Sequence, residues 1–351
     1  MLRKISMPLA GMLMIFGASA QDSAKVAPAL TISGSADVYY KYDFKKNGDN
    51  SLTSFTPAND QFALGMASVK FDYKKSKTEI VADLGFGDRA KAFAYNDDGI
   101  VQAIKQLYIS YSINSTVKLT AGTWGTHVGY EVLDPQLNRN YSMSYMFTNG
   151  PFSHTGFKAD FTFGKSGLMV GIANPTDYRS VPNGVGAKNV IAQYSYAASD
   201  KFKGYLNFVG GKDISENKSA QVDLTITSKL SDLFSLGYNG TINTSKAYDA
   251  TTDKYSSSRK WFGSALYVNL DPKPYLGFTF RGEYFNDKDA VKLGAGGNIF
   301  AATLSANIKV DGLTFIPEIR FDNSSEENFV DKNGLGKKSA ANFLLAAVYS
   351  F

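Results

Sequence analysis

Residues 30–44 read LTISGSADVYYKYDF, and the two parities of this stretch differ in character. Even positions carry Leu30, Ile32, Gly34, Ala36, Val38, Tyr40, Tyr42 and Phe44; odd positions carry Thr31, Ser33, Ser35, Asp37, Tyr39, Lys41 and Asp43. A period of two predicts a β-strand with one apolar and one polar face. At ~3.3 Å per residue this strand is about 50 Å long, well beyond the usual ~5–6 residues. The fold turns on what covers the apolar row: a second sheet, or lipid.

The same rhythm runs along the chain. QFALGMASVKFDY (61–73) sets Ala63, Gly65, Ala67, Val69, Phe71 and Tyr73 in one row, and IKQLYISYSI (104–113) aligns Leu107, Ile109, Tyr111 and Ile113. Later strands include AQVDLTITS (220–228), YLGFTFRGEYF (275–285) and LTFIPEIRF (313–321); those near 202–210 and 261–270 are less cleanly phased. Tight turns, as at Asp311-Gly312, alternate with long polar connections near 174–186, 211–218, 243–258, 286–297 and 323–338. A sandwich also alternates, but three features favour lipid. Strand lengths suit a tilted membrane crossing of ~9–11 residues, charges such as Asp83, Asp160 and Asp223 recur in the polar row, and aromatics gather toward strand ends. The closing ANFLLAAVYSF (341–351) is amphipathic and aromatic-ended, similar to the signal that hands Gram-negative barrels to the barrel assembly machinery. The expected fold is all-β: an antiparallel transmembrane β-barrel of about sixteen strands, with long extracellular loops and short periplasmic turns.

Residues 1–20 read as a signal peptide: Arg3 and Lys4, a short apolar run, and a small-residue site at Ala18-Ser19-Ala20. Residues 21–351 are then one barrel domain, exported to the bacterial outer membrane. The formal charge of +5 falls to +3 without Arg3 and Lys4, so no nucleic-acid partner is implied. The chain has no cysteine, which removes thiol catalysis and thiolate metal sites. No cofactor is expected: the GAGG at 294–297 has no following helix to make a phosphate cradle.

The longest connection, GTHVGYEVLDPQLNRNYSMSYMFTNGPFS (125–153), is the third long loop and is rich in Tyr, Met and Phe, as a segment packed inside a barrel would be. Glu131 and Asp134 are candidates for an acidic edge of a constriction, opposite Arg281 and Arg320 on the wall. Alternatively, those arginines are neutralised locally by Glu283 and Glu318, two residues away on the same face; both readings stand. Lys118, Lys158 and Arg139 are further pore-lining candidates. His127 and His154, the two histidines, flank the loop. A metal pair or catalytic base is the sharper reading, a hydrogen-bonded rim histidine and an exposed one the plainer and favoured reading.

Within this segment Gly129-Tyr130-Glu131, Asn140-Tyr141-Ser142, Ser144-Tyr145, Phe147 and Pro151-Phe152-Ser153-His154-Thr155-Gly156 resemble the central signature of the OmpL-like β-barrel porins of Gram-negative bacteria. The resemblance covers nearly the whole chain after residue 20 and is most specific over Gly122–Gly156. It implies an outer-membrane channel and brings no catalytic or ligand residues. The expected function is passive, weakly ion-selective diffusion of small hydrophilic solutes, without enzymatic chemistry. Expected partners are outer-membrane lipid, the solutes, the assembly machinery and two further copies in a trimer. The alternatives are a non-conducting structural or adhesive barrel and, lower, a hydrolase using His127 or His154 with Ser142 or Ser144.

Overall fold

A computed structural model describes residues 28–351. The expected signal peptide lies outside the described residues. Sixteen strands, each antiparallel to its neighbours, close into one barrel. They are β1 (Ala29–Asp43), β2 (Gln61–Lys75), β3 (Thr78–Phe86), β4 (Ile104–Ser112), β5 (Val117–Gly125), β6 (Ser153–Phe163), β7 (Ser166–Ala173) and β8 (Asn189–Ser199). The ring continues with β9 (Phe202–Lys212), β10 (Lys218–Lys229), β11 (Phe234–Lys246), β12 (Arg259–Lys273), β13 (Leu276–Asn286), β14 (Asn298–Val310), β15 (Leu313–Ser324) and β16 (Ser339–Ser350).

Closure is made by β1 against β16, from Ser35 opposite Ser350 to Asp43 opposite Asn342. Phe351 extends the seam, exchanging backbone hydrogen bonds of 3.1 and 3.0 Å with Gly34. A Cβ on Gly34 would stand 2.7 Å from the Phe351 ring, so the glycine leaves room for the aromatic. Every backbone group of a membrane-crossing strand needs a partner, and a closed ring supplies one on both sides. Leu30, Ile32, Val38, Leu107, Ile109, Leu304, Ile319 and Leu345 all face outward and are exposed, as a lipid-facing row requires.

Strict alternation fails at instructive places. In β2 two residues, Gly65 and Met66, oppose Asp37 of β1, which is a β-bulge. Beyond it the phase is reversed: Phe62 and Leu64 point outward, at 87% and 70% exposure, and Gly65 is buried inside. The row that joined Ala63 and Gly65 to Ala67, Val69 and Phe71 is therefore corrected at its first two members. A second bulge, in β4, lies between the pairs Asp83–Gln106 and Leu84–Ile104 and turns Lys105 inward. In β12 and β16 the inward row is itself apolar (Trp261, Ala265, Tyr267; Leu344, Ala346, Val348), which explains the weak phasing near 261–270. The connection expected as long near 211–218 is a short turn at 213–217. There the Asp213 carboxylate accepts from the backbone N–H groups of Ser215 and Asn217 at 2.8 and 3.0 Å.

Candidate functional site

What covers those apolar inner rows is loop 3, residues 126–152. It enters the barrel and carries a 3-10 turn (Pro135–Leu137) and a short helix, Tyr145–Asn149. Tyr141, Met143, Tyr145, Met146 and Phe147 are all buried. Three apolar clusters result, one of them joining Leu133, Met143, Phe147 and Phe152 of the loop to Phe55, Met66, Ala90 and Phe93. Tyr145 and Met146 pack on Trp261, Ala265, Tyr267 and Phe285. Tyr141 packs on Tyr39, Ile316, Leu344, Ala346 and Val348. The aromatic and Met content of the loop is thus the counterpart of an apolar inner wall, and its burial holds the loop down.

The wall is shaped to receive it. A Cβ on Gly237 would lie 2.5 Å from the Tyr130 ring, and one on Gly263 would lie 2.5 Å from Met146 Cγ. Tyr130 uses its socket to stack on Tyr267, with ring centroids 4.1 Å apart.

Burying loop backbone leaves N–H and C=O groups that need partners. The wall's charges supply many of them. Glu283 accepts from the N–H groups of Tyr145 and Met146 at 2.9 and 3.0 Å, at the positive start of the short helix whose N-cap is Ser144. Glu318 accepts from Tyr141 N–H at 2.9 Å. Arg320 donates to the Met143 carbonyl at 2.7 Å and pairs with Asp322 at 2.9 Å. Arg281, fully buried, donates to Glu131 at 2.5 Å and to the Ser142 carbonyl at 2.7 Å. Glu131 also accepts from Ser144 N–H at 2.8 Å and from the Tyr267 hydroxyl at 3.1 Å. Arg281 is therefore in contact with the loop carboxylate it was expected to face, and the carboxylate nearest Arg320 is Asp322.

Asp134 takes a different direction. It pairs with Lys105 at 2.5 Å, and Lys105 reaches Asp83 at 3.0 Å. Lys105 stands on β4 and Arg281 on β13, about half the circumference apart in the sixteen-strand ring. Glu131 and Asp134 are three residues apart, at most ~11 Å of chain. Two long cationic arms and this short segment thus bridge opposite walls. Arg89, also buried, adds a third tie by donating to the Leu133 carbonyl at 3.0 Å while its guanidinium lies 4.6 Å from the Tyr141 ring centroid. Tyr141 in turn donates to Asp37 at 2.5 Å. Loop 3 crosses the lumen.

The remaining candidates lie elsewhere. Arg139 pairs with Asp271 at 2.6 Å and donates to Thr279 at 2.7 Å, toward the short-turn end. Lys118 pairs with Glu79 at 2.8 Å, which also meets Lys74 at 3.1 Å. Lys158 lies 3.6 Å from Asp160 and 5.3 Å from the Trp124 ring centroid. Lys118 and Lys158 keep side-chain exposures of 24% and 14%, against 0% for Arg281 and 3% for Arg320.

His127 and His154 are not a rim residue and an exposed one: His154 is buried, and the two rings pack at a centroid distance of 5.0 Å. Ser144 Oγ accepts from Phe147 N–H, and Ser142 Oγ accepts from Arg281. Among the described residues neither hydroxyl is bonded to a histidine.

Sequence reading missed Lys105 and Arg89. Simple alternation puts Lys105 in the lipid-facing row with Leu107 and Ile109; the β4 bulge reverses it. A lysine facing hydrocarbon costs about 2–4 kcal/mol at mid-bilayer, so its presence in an apolar row was itself the sign of a bulge.

The fold recurs among solved outer-membrane channels. An anion-selective porin from Comamonas acidovorans superimposes with a TM-score of 0.61 at 10% identity, over 92% of this chain and 100% of its own. The channel DcaP of Acinetobacter baumannii gives 0.63 at 13% identity, over 95% and 100%. OmpT of Vibrio cholerae, in a structure described as its trimer form, gives 0.59 at 9%, over 93% and 100%. No curated protein matches the sequence. Residues 29–351 match the family described as "Putative beta-barrel porin-2, OmpL-like", so this chain belongs to the OmpL-like β-barrel porins.

Proposed function

We propose that this porin is a passive outer-membrane channel for small hydrophilic solutes whose path is narrowed by loop 3. The observation that carries the reading is the bridge from Lys105 through Asp134 and Glu131 to Arg281, which subdivides a barrel otherwise wide enough for water. Solutes pass beside this bridge. On the β2–β6 side the wall keeps part-exposed charges of both signs, namely Lys118, Glu79, Lys158 and Asp160. Alternating signs favour weak ion selectivity.

The protein performs no covalent chemistry in this reading, because the hydroxyls of Ser142 and Ser144 are engaged in holding the loop. Export through residues 1–20, a single domain over 21–351, delivery by the assembly machinery and assembly as a trimer belong to the same proposal. The trimer form of OmpT supports the last of these. The competing reading, a non-conducting structural barrel, draws on the same bridge, since a loop bonded to opposite walls can also seal.

The test is single-channel conductance of the refolded protein, residues 21–351, in a planar bilayer under a salt gradient. Steady steps with a small reversal potential support the channel. Silence from protein whose folding is verified by heat-dependent gel migration favours the sealed barrel.

A further inference from the structure

His127 and His154 stand at the two ends of loop 3, which the β5–β6 ladder joins, with Thr126 N–H donating to the Phe152 carbonyl at 2.9 Å. His127 Nε2 donates to the Phe208 carbonyl of β9 at 3.0 Å. That bond fixes the neutral tautomer and leaves the lone pair on Nδ1. His154 Nε2 shares a hydrogen bond of 3.1 Å with the hydroxyl of Thr126, the residue beside His127. Nδ1 of each ring has no hydrogen-bond partner. Around the pair, β5 contributes Trp124, in register with His154, and β7 to β9 contribute Met169, Ile191 and Val209, all apolar.

The charged neighbour is a cation, Lys158 of β6, itself followed by Lys118 of β5. The carboxylates in this quarter are already engaged. Asp160 lies beside Lys158, and Asp223 of β10 accepts from Asn207, Asn239 and Gly129 N–H. The other polar groups close by are the Ala192 backbone and the Gln193 amide of β8, which donates to the His127 carbonyl at 3.3 Å, and Tyr108 of β4, which packs against the same cluster. A proton added here enters an apolar pocket beside a lysine, with no free carboxylate to meet it.

We propose that His127, seated on the His154 ring, is a positioning residue that clasps the start of the constriction loop to the β8–β9 wall while neutral and releases it when protonated, so that acid loosens loop 3. The inference rests on the channel reading for its effect on conduction, but not for the movement itself. Enclosure in this pocket lowers the His127 pKa to about 4. The neutral clasp is therefore intact through neutral pH and fails as pH falls toward that value.

Trp124 reports the movement without any reference to conduction. In a Trp261→Phe background the emission of Trp124 is followed from pH 7 to pH 3.5, alongside single-channel recording. The expected result is a reversible red shift on acidification with a rise in conductance. Both are lost in His127→Gln/His154→Gln, whose amides stay neutral. Lys158→Met, which removes the repelling charge, moves the midpoint of the red shift to higher pH, an effect that lost packing alone does not produce. A transition of the same size and midpoint in the double glutamine variant, or none in the parent protein, overturns the clasp. A fluorescence transition without channels in the bilayer would sink the channel reading and keep the clasp.

Discussion

Arg281 and Glu131, 150 residues apart in sequence, meet at 2.5 Å inside the barrel, and the guanidinium continues from that carboxylate to the carbonyl of Ser142. One wall residue thus holds two points of loop 3. Breaking such a pair differs from removing it. Arg281→Met leaves the Glu131 carboxyl buried without its counter-ion, with only Tyr267 and Ser144 as partners, at a cost of about 3–5 kcal/mol to the loop's docked state. Glu131→Gln/Arg281→Met removes both charges and recovers most of that loss. Limited proteolysis of the folded barrel reads the difference: cleavage within 126–152 is fast in the single variant and slow in the double. Equal cleavage in the two would deny the pair its anchoring role.

Gly237 and Gly263 carry packing consequences without any side chain of their own. Gly237→Ala sets a methyl 2.5 Å from the Tyr130 ring and displaces it from Tyr267, costing about 1–3 kcal/mol as an overpacked contact. Combining it with Tyr130→Ala relieves the collision. The thermal gel-shift temperature of Gly237→Ala/Tyr130→Ala should exceed the value obtained by adding the two single losses. Strict additivity would show that the socket does not matter.

The outer face of this protein was legible because lipid imposes a rule on every second residue, and sixteen strands repeat it. The inner face was not. Its occupant comes from residues 126–152, so the row containing Trp261 and Tyr267 shows no polarity to read. Bulges add a second obstacle: a single extra residue at Gly65-Met66 or near Lys105 exchanges the two faces, and no period of two contains it. Arg281 and Glu131 could both be singled out as charges in a barrel. Their direct contact depends on how deeply the loop descends, which follows from the apolar clusters around Tyr141 and Tyr145.

Asp177 ties the β7–β8 connection to the far end of loop 3, accepting from Phe152 and Ser153 N–H at 2.7 and 2.8 Å and from the Tyr95 hydroxyl at 2.9 Å. Burial outweighs these donors and raises its pKa to about 6. The folded protein then holds a proton that the unfolded chain has released above its ordinary value of 3.8. The site's contribution is complete below that value, declines as pH rises through about 6, and is constant beyond. Asp177→Asn keeps an acceptor and has no such dependence. Hydrogen exchange at the Phe152 and Ser153 amides should accelerate between pH 4 and pH 6.5 in the parent, after correction for intrinsic rates, but not in the variant. A parallel dependence in both would assign it to another group.

Lys105 separates the two ways in which loop 3 can influence transport. It is the cation between Asp83 and Asp134, with 4% side-chain exposure against 3% and 18% for its partners. Lys105→Met removes the charge and keeps the length of the arm. Two carboxylates then lose their counter-ion, and Asp134 loses its tie to β4. The altered charge shifts the reversal potential toward cation selectivity, and the lost tie raises conductance by letting the loop leave that wall. Lys105→Arg keeps the charge and retains both properties. Lys118→Ala serves as a contrast, because Lys118 pairs with Glu79 in the wall near the short-turn end. It moves selectivity in the same direction without enlarging the steps. If Lys105→Met changes neither quantity while Lys118→Ala changes selectivity, ions follow the β5 wall alone and the bridge from β4 to β13 does not bound their path.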